Sequence, residues 1–249
     1  MTTRGDEHRV EPGAPYWQRS KRPLEMLLFL FPLVIAYEVG IALFFSGDDD
    51  QTGILAYVLL QQVFVSLGLV GSGNMALPGV LVVVVLLAQQ VFSRKPWTIH
   101  PPTLLMMVLE SLALTLPLLI FGAAIMTATP MASTAEADPA AGLAPRLVLA
   151  IGAGLYEELV FRWALIGLIH FVLADLLKVS SQRATWSAVA ISSVVFMAAH
   201  FLASPFDLRA AIFFLVAGVF FGGAFVIRGF GIAAGTHAFY DVIVELLSG

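Results

Sequence analysis

Leu147 to Leu173 reads LVLAIGAGLYEELVFRWALIGLIHFVL, an apolar run with two adjacent glutamates and an arginine at its centre. A bilayer-spanning helix needs roughly 20 mostly apolar residues, and this run has them. Its charges carry the second message. An ionisable group inside hydrocarbon is expensive and by default marks function, and Glu157, Glu158 and Arg162 fall where that cost is highest.

Working outward, five more runs have spanning length: Leu24–Phe45, Leu104–Thr127, Trp186–Ala203, Ala210–Ile227 and Ile232–Leu247. Two shorter runs, Ile54–Val70 and Leu77–Phe92, are divided by Gly71-Ser72-Gly73-Asn74 and could be tilted, interfacial or re-entrant. The pattern predicts an all-α polytopic membrane protein. It has about eight hydrophobic helices, with seven full spans as the competing count, and a polar site between the C-terminal helices. Composition agrees: 59% of residues are hydrophobic and 12% charged, with a mean hydropathy of +0.91. A soluble domain carries about 25% charged residues. There is no cysteine, which removes disulfides, thiolate metal sites and cysteine nucleophiles. A net charge of -4 without a basic stripe argues against nucleic acid as a partner; membrane lipid is the expected surrounding.

The chain divides into a basic N-terminal tail (1–23), N-terminal membrane helices (24–127), an acidic Ala/Pro-rich loop (128–146) and a C-terminal membrane region (147–249). Arg4, Arg9, Arg19, Lys21 and Arg22 precede the first span and Asp48-Asp49-Asp50 follow it. The positive-inside rule therefore places the N-terminus in the cytoplasm. Lys178, Arg183 and Arg228 read as internal. Arg94 and Lys95 also favour the inside, which conflicts with two full crossings between Ile54 and Phe92.

The buried charges cluster in three places: Glu157, Glu158 and Arg162; Phe196 through His200; and His237 through Asp241. Glu158 and Arg162 are i, i+4 and share a helix face, so they can pair as a brace. Glu157 lies about 100° round the helix from Glu158 and is free to face another neighbour as the reactive carboxylate. His237 and Asp241 again share a face, so the carboxylate could orient the imidazole or join it on a metal ion. With His200 from a third helix, these groups can take a proton from water and stabilise an oxyanion. Equally, Glu157, His200, His237 and Asp241 could ligate a divalent metal such as zinc, with one position left for water. Glu110 and Glu245 read as structural.

Glu157-Glu158-x-x-x-Arg162, Phe196-x-x-x-His200 and His237-x-x-x-Asp241, in that order on separate hydrophobic helices, resemble the signature of the CPBP intramembrane proteases. That family includes the type II CAAX prenyl endopeptidases and the Abi proteins linked to bacteriocin self-immunity. The resemblance covers roughly Leu147 to Leu247. It implies a fold of about eight membrane helices and a peptidase site within the bilayer. Glu157 would activate water, His200, His237 and Asp241 would complete the site, and Phe196 would pack beneath. Where the family most often has Asn, this chain has Asp241. An ionised Asp repels an oxyanion, so Asp241 must be protonated, orient His237 or ligate a metal.

The sequence thus predicts an intramembrane endopeptidase acting on membrane-associated peptides or proteins. Glu158 and Arg162 would support the helix that presents Glu157. The alternative is a non-catalytic membrane scaffold or bacteriocin-immunity-type binding protein. A proton-coupled transporter would predict inverted repeats, and the sequence shows none. For His200 and His237 to share a site, the last helix must begin deeper than the Trp186 helix. Arg228-Gly229-Phe230-Gly231 would then form a recessed turn, with Arg228 reaching a polar surface or a carboxylate.

Overall fold

The computed structural model describes residues 14–45, 54–66, 68, 77–125, 142–202 and 204–248. Most of the predicted tail and acidic loop, Asp48-Asp49-Asp50 and Gly71-Ser72-Gly73-Asn74 lie outside the described residues. Every described element is a helix: α1 (Tyr16–Arg19), α2 (Pro23–Phe44), α3 (Leu55–Ser66), α4 (Leu77–Ser93), α5 (Pro101–Ile125), α6 (Leu143–Leu176), α7 (Ser181–Ala199), α8 (Leu208–Arg228) and α9 (Phe230–Ser248).

Among the described residues, α2, α5, α6, α8 and α9 are long and apolar enough to cross a membrane, while α3 and α4 supply two shorter apolar helices. The protein is a polytopic membrane protein. Its outer surface is inverted relative to a soluble domain: Phe92 is 84% exposed, and Leu43 and Ile120 70% each. Hydrocarbon removes the cost of showing such residues, and the buried faces hold the polar ones.

α7 departs from the predicted Trp186–Ala203 run. It starts at Ser181, ends at Ala199 and is not among the clearly apolar spans, because Ser181, Gln182, Arg183 and Ser187 lower its hydropathy. Its end tightens into i→i+3 bonds, His200 N to Met197 O and Phe201 N to Ala198 O. α6 departs in a different way. From Glu158 to Ile166 and from Phe171 to Leu176 its backbone is π-helical rather than α-helical. Such widened turns inside helices are frequent at functional sites.

α9 is the central helix, packed against α2, α5, α6 and α8. Lipid supplies no hydrophobic drive for helices to associate, so close packing through small residues does the work. A Cβ on Gly154 would strike the backbone of Ala238, which means that α6 and α9 touch main chain to main chain. A Cβ on Gly218 would stand 3.0 Å from Ser193, which sets α8 equally close to α7.

Gly229 alone joins α8 to α9, at φ 94°, a left-handed conformation that glycine adopts without strain. Arg228 just before it donates from Nη2 to Glu110 Oε2 at 2.7 Å. Glu110 lies nine residues into α5, about 14 Å from its start at 1.5 Å per residue. A Cβ on Gly229 would stand 3.6 Å from Lys21 Cγ, so the turn lies beside the segment that leads into α2. Irregular backbone at membrane depth must be covered by protein or water. α1 provides cover: Tyr16 donates its hydroxyl to Glu110, and Arg228 donates to Ser20 Oγ at 3.1 Å.

Candidate active site

Three helices deliver their polar side chains to one place. Glu157 and Glu158 come from the middle of α6, His200 from the end of α7, and His237 and Asp241 from α9. Glu157 Oε2 stands 3.9 Å from His200 Nε2 and 3.8 Å from His237 Nε2. His237 Nε2 is 3.4 Å from Asp241 Oδ2. His237, Asp241 and Glu158 are fully buried, and Glu157 is 5% exposed. The His200 side chain, 10% exposed, is the part of the cluster nearest the outside.

The two imidazoles are held from behind. His200 Nδ1 lies 2.8 Å from Phe196 O. A carbonyl oxygen only accepts, so Nδ1 carries the proton and the neutral ring turns an acceptor Nε2 toward Glu157. His237 Nδ1 lies 2.9 Å from Glu158 Oε1, and Arg162 Nη1 approaches the same oxygen at 3.1 Å. The sequence reading made Glu158 a partner of Arg162 alone and assigned the orienting of His237 to Asp241. In the structure Glu158 occupies the outer nitrogen of His237, and Asp241 lies on the side that faces Glu157.

Aromatic rings wall the cluster. Phe196 is fully buried, with its ring centroid 4.6 Å from that of His200 and 6.1 Å from that of His237, and Arg162 Cζ stacks 4.1 Å over it. Two rings were not anticipated from the sequence. Phe214 stacks on His200 at 3.9 Å, and Phe221 stacks on His237 at 4.4 Å with an interplanar angle of 15°. Both lie on α8, where an apolar residue on an apolar span carries no signal of its own.

Among the described residues, no group of three or more His, Asp or Glu side chains is arranged to hold a metal ion. The four-residue ligand set considered from the sequence has its atoms gathered, but not in that geometry. What the arrangement offers is proton transfer. Glu157 Oε2 and His200 Nε2 are buried and hydrogen-bond to none of the described residues. Their separation is too long for a direct bond and suits an oxygen that contacts both.

The glutamates outside the site have partners. Glu110 meets Arg228, Glu245 pairs with Arg146 at 3.1 Å, and Glu38 accepts from Tyr156 at 2.8 Å. Glu25, fully buried, was not singled out from the sequence; it accepts from His100 N at 3.1 Å and lies 3.0 Å from His100 Nδ1.

Residues 139–243 match the family described as Type II CAAX prenyl endopeptidase Rce1-like. The match spans all three motifs and agrees with the resemblance drawn from them. That segment is thus similar to the CAAX-type intramembrane proteases. No curated protein and no solved structure matches the chain.

Proposed function

We propose that the protein is an intramembrane endopeptidase that hydrolyses membrane-associated peptide or protein segments with a water activated by Glu157 and His200. One observation carries this reading. A single carboxylate oxygen, Glu157 Oε2, stands within 4 Å of two imidazole nitrogens from two other helices, 3.9 Å from His200 and 3.8 Å from His237.

The roles follow from the hydrogen bonds. A water between Glu157 Oε2 and His200 Nε2 gives its proton to the carboxylate as its oxygen attacks the scissile carbonyl. His237 has carboxylate oxygens beside both nitrogens, Glu158 at 2.9 Å and Asp241 at 3.4 Å, and so is set to donate from both. Its Nε2–H donates to the developing oxyanion, and Asp241 beside it offsets the charge of the ring. When the C–N bond breaks, Glu157 passes its proton to the leaving nitrogen. General acid–base transfer of this kind contributes about 10²–10⁴-fold. Glu158 and Arg162 position His237 and react with nothing.

In this reading residues 147–249 carry the reaction, residues 24–127 support them, and the N-terminus lies in the cytoplasm. The test is cleavage of a membrane-anchored peptide by the reconstituted protein and by Glu157→Gln. Cleavage by the wild type and its loss in the variant support a peptidase. A phenotype or binding activity that survives Glu157→Gln, with no cleavage by either protein, supports a non-catalytic scaffold.

A further inference from the structure

Hydroxyl side chains meet where α5 packs along α9. A Cβ on Gly231 would stand 3.2 Å from Met107 Cε, and one on Gly235 3.0 Å from Ser111 Oγ. The two helices therefore run parallel and step together, four residues at a time. The same register sets Thr115 opposite Phe239, beside Tyr240. Thr236 and Tyr240 are i, i+4 and share one face of α9. Ser111, Thr115 and Thr236 are fully buried, and Tyr240 is 1% exposed. Its ring is fixed by stacking on Phe213 of α8 at 5.8 Å.

Thr115 donates to Leu112 O on its own helix at 2.7 Å. Ser111 Oγ, Thr236 Oγ1 and Tyr240 Oη hydrogen-bond to none of the described residues. A buried hydroxyl without a partner is destabilising, and hydrocarbon supplies no donor or acceptor to offset that cost. Three such groups along one helix contact point to a polar ligand small enough to fit between packed helices. Water fits, since a buried water typically bonds about three otherwise unsatisfied polar groups. The seam also has polar neighbours at both ends. Glu110 precedes Ser111 and pairs with Arg228, and the two side chains are 22% and 16% exposed. Tyr240 precedes Asp241 and packs in one cluster with Phe196, whose ring lies against His200 and His237.

We propose that Ser111, Thr236 and Tyr240 hold buried waters in the seam between α5 and α9, and that these waters replenish the one consumed at Glu157. The supply role rests on the peptidase reading; the waters themselves do not. Hydrolysis uses one water for each bond cut, and the rings of Phe196, Phe214 and Phe221 around the cluster offer water no polar foothold. A row of hydroxyls leading from the part-exposed Glu110–Arg228 pair gives water successive partners through an otherwise apolar bundle. Ser111, Thr236 and Tyr240 hold water and react with nothing.

The test is X-ray hydroxyl-radical footprinting of the full chain in lipid nanodiscs, with Tyr156 as the reference. Radicals formed from a bound water label the side chain beside it, so Tyr240 is expected to be labelled although it is 1% exposed. Tyr156 is also buried, donates its hydroxyl to Glu38 and should stay unlabelled. Thr236→Val keeps the side-chain shape and removes the hydroxyl. It should cut Tyr240 labelling to the Tyr156 level, lower the melting temperature, and lower kcat on a membrane peptide with KM unchanged. Ser111→Ala repeats the test from α5 in case Thr236→Val fails to fold. Tyr240 labelled no more than Tyr156 in the wild type would overturn the waters. So would a melting temperature raised by Thr236→Val, because a dry hydroxyl carries a cost that its removal relieves. Labelling lost with kcat unchanged would overturn the supply role alone. If the wild type cleaves no peptide, the peptidase reading fails and takes the supply role with it, while the labelling still decides the waters.

Discussion

Glu158 Oε1 receives His237 Nδ1 at 2.9 Å, across the contact between α6 and α9. The glutamate beside the proposed base is thus the residue that fixes the ring of the proposed oxyanion donor. Partners of this outer kind typically change activity by about 10–100-fold when removed. Glu158→Gln, with Arg162 left in place, should lower kcat by that order while KM stays near the wild-type value. Steady-state kinetics on a fluorogenic membrane peptide check it. An unchanged kcat would mean that His237 needs no such support.

Arg162 is 1% exposed, with Glu158 on one side and the Phe196 face on the other. Truncating it strands a buried carboxylate, and breaking such a pair costs about 3–5 kcal/mol. Arg162→Ala is therefore expected to depress folded yield and melting temperature sharply in detergent. Glu157→Gln keeps the shape of a side chain whose Oε2 hydrogen-bonds to none of the described residues and should leave both nearly intact. If the two variants lose stability equally, Glu157 is part of the structural framework.

Gly154 offers a test that touches no polar group. It sits one turn before Glu157, where any Cβ meets the Ala238 backbone next to His237. Overpacking a close contact costs typically about 1–3 kcal/mol. Gly154→Val should push α6 and α9 apart and reduce kcat more than it reduces the melting temperature. Gly167→Ala, where a Cβ meets nothing within 4 Å, is the matched control and should be neutral.

Tyr156 precedes Glu157 and turns the other way, into a nest of Tyr37 and Tyr57 with ring centroids 4.9 and 5.4 Å distant. Its hydroxyl donates to Glu38 on α2. Tyr156→Phe leaves Glu38 without that donor, and an unsatisfied buried partner costs about 1–3 kcal/mol. A drop in melting temperature is expected, with Glu38→Gln milder because its amide oxygen still accepts from Tyr156. Thermal unfolding of the two variants side by side checks the order.

Much of this fold and site is legible in the amino-acid sequence. Hydropathy located the spans because lipid imposes length and apolarity on each, and the cost of burying Glu157, His200 and His237 singled them out. The i, i+4 spacing of Glu158 and Arg162 survives as a 3.1 Å pair even though the backbone there is π-helical. That widening was not legible, since periodicity assumes a constant turn. The Glu158–His237 bond was hidden because it joins residues 79 apart in sequence. Phe214 and Phe221 were invisible for the opposite reason: each looks like every other lipid-facing or core phenylalanine until its ring partner is known. Glu110 was read as structural and does pair, with Arg228 at the turn between α8 and α9.

Hydrolysis in oxygen-18 water bears most directly on Glu157. The wild-type protein and Glu157→Gln are reconstituted with a library of membrane-anchored peptides, and the products are sequenced and weighed by mass spectrometry. The wild type is expected to release fragments whose new C-terminal carboxylate carries one solvent oxygen, and Glu157→Gln to slow their release by at least about 10². Labelled fragments released equally fast by Glu157→Gln would contradict the assignment of Glu157 as the group that activates water.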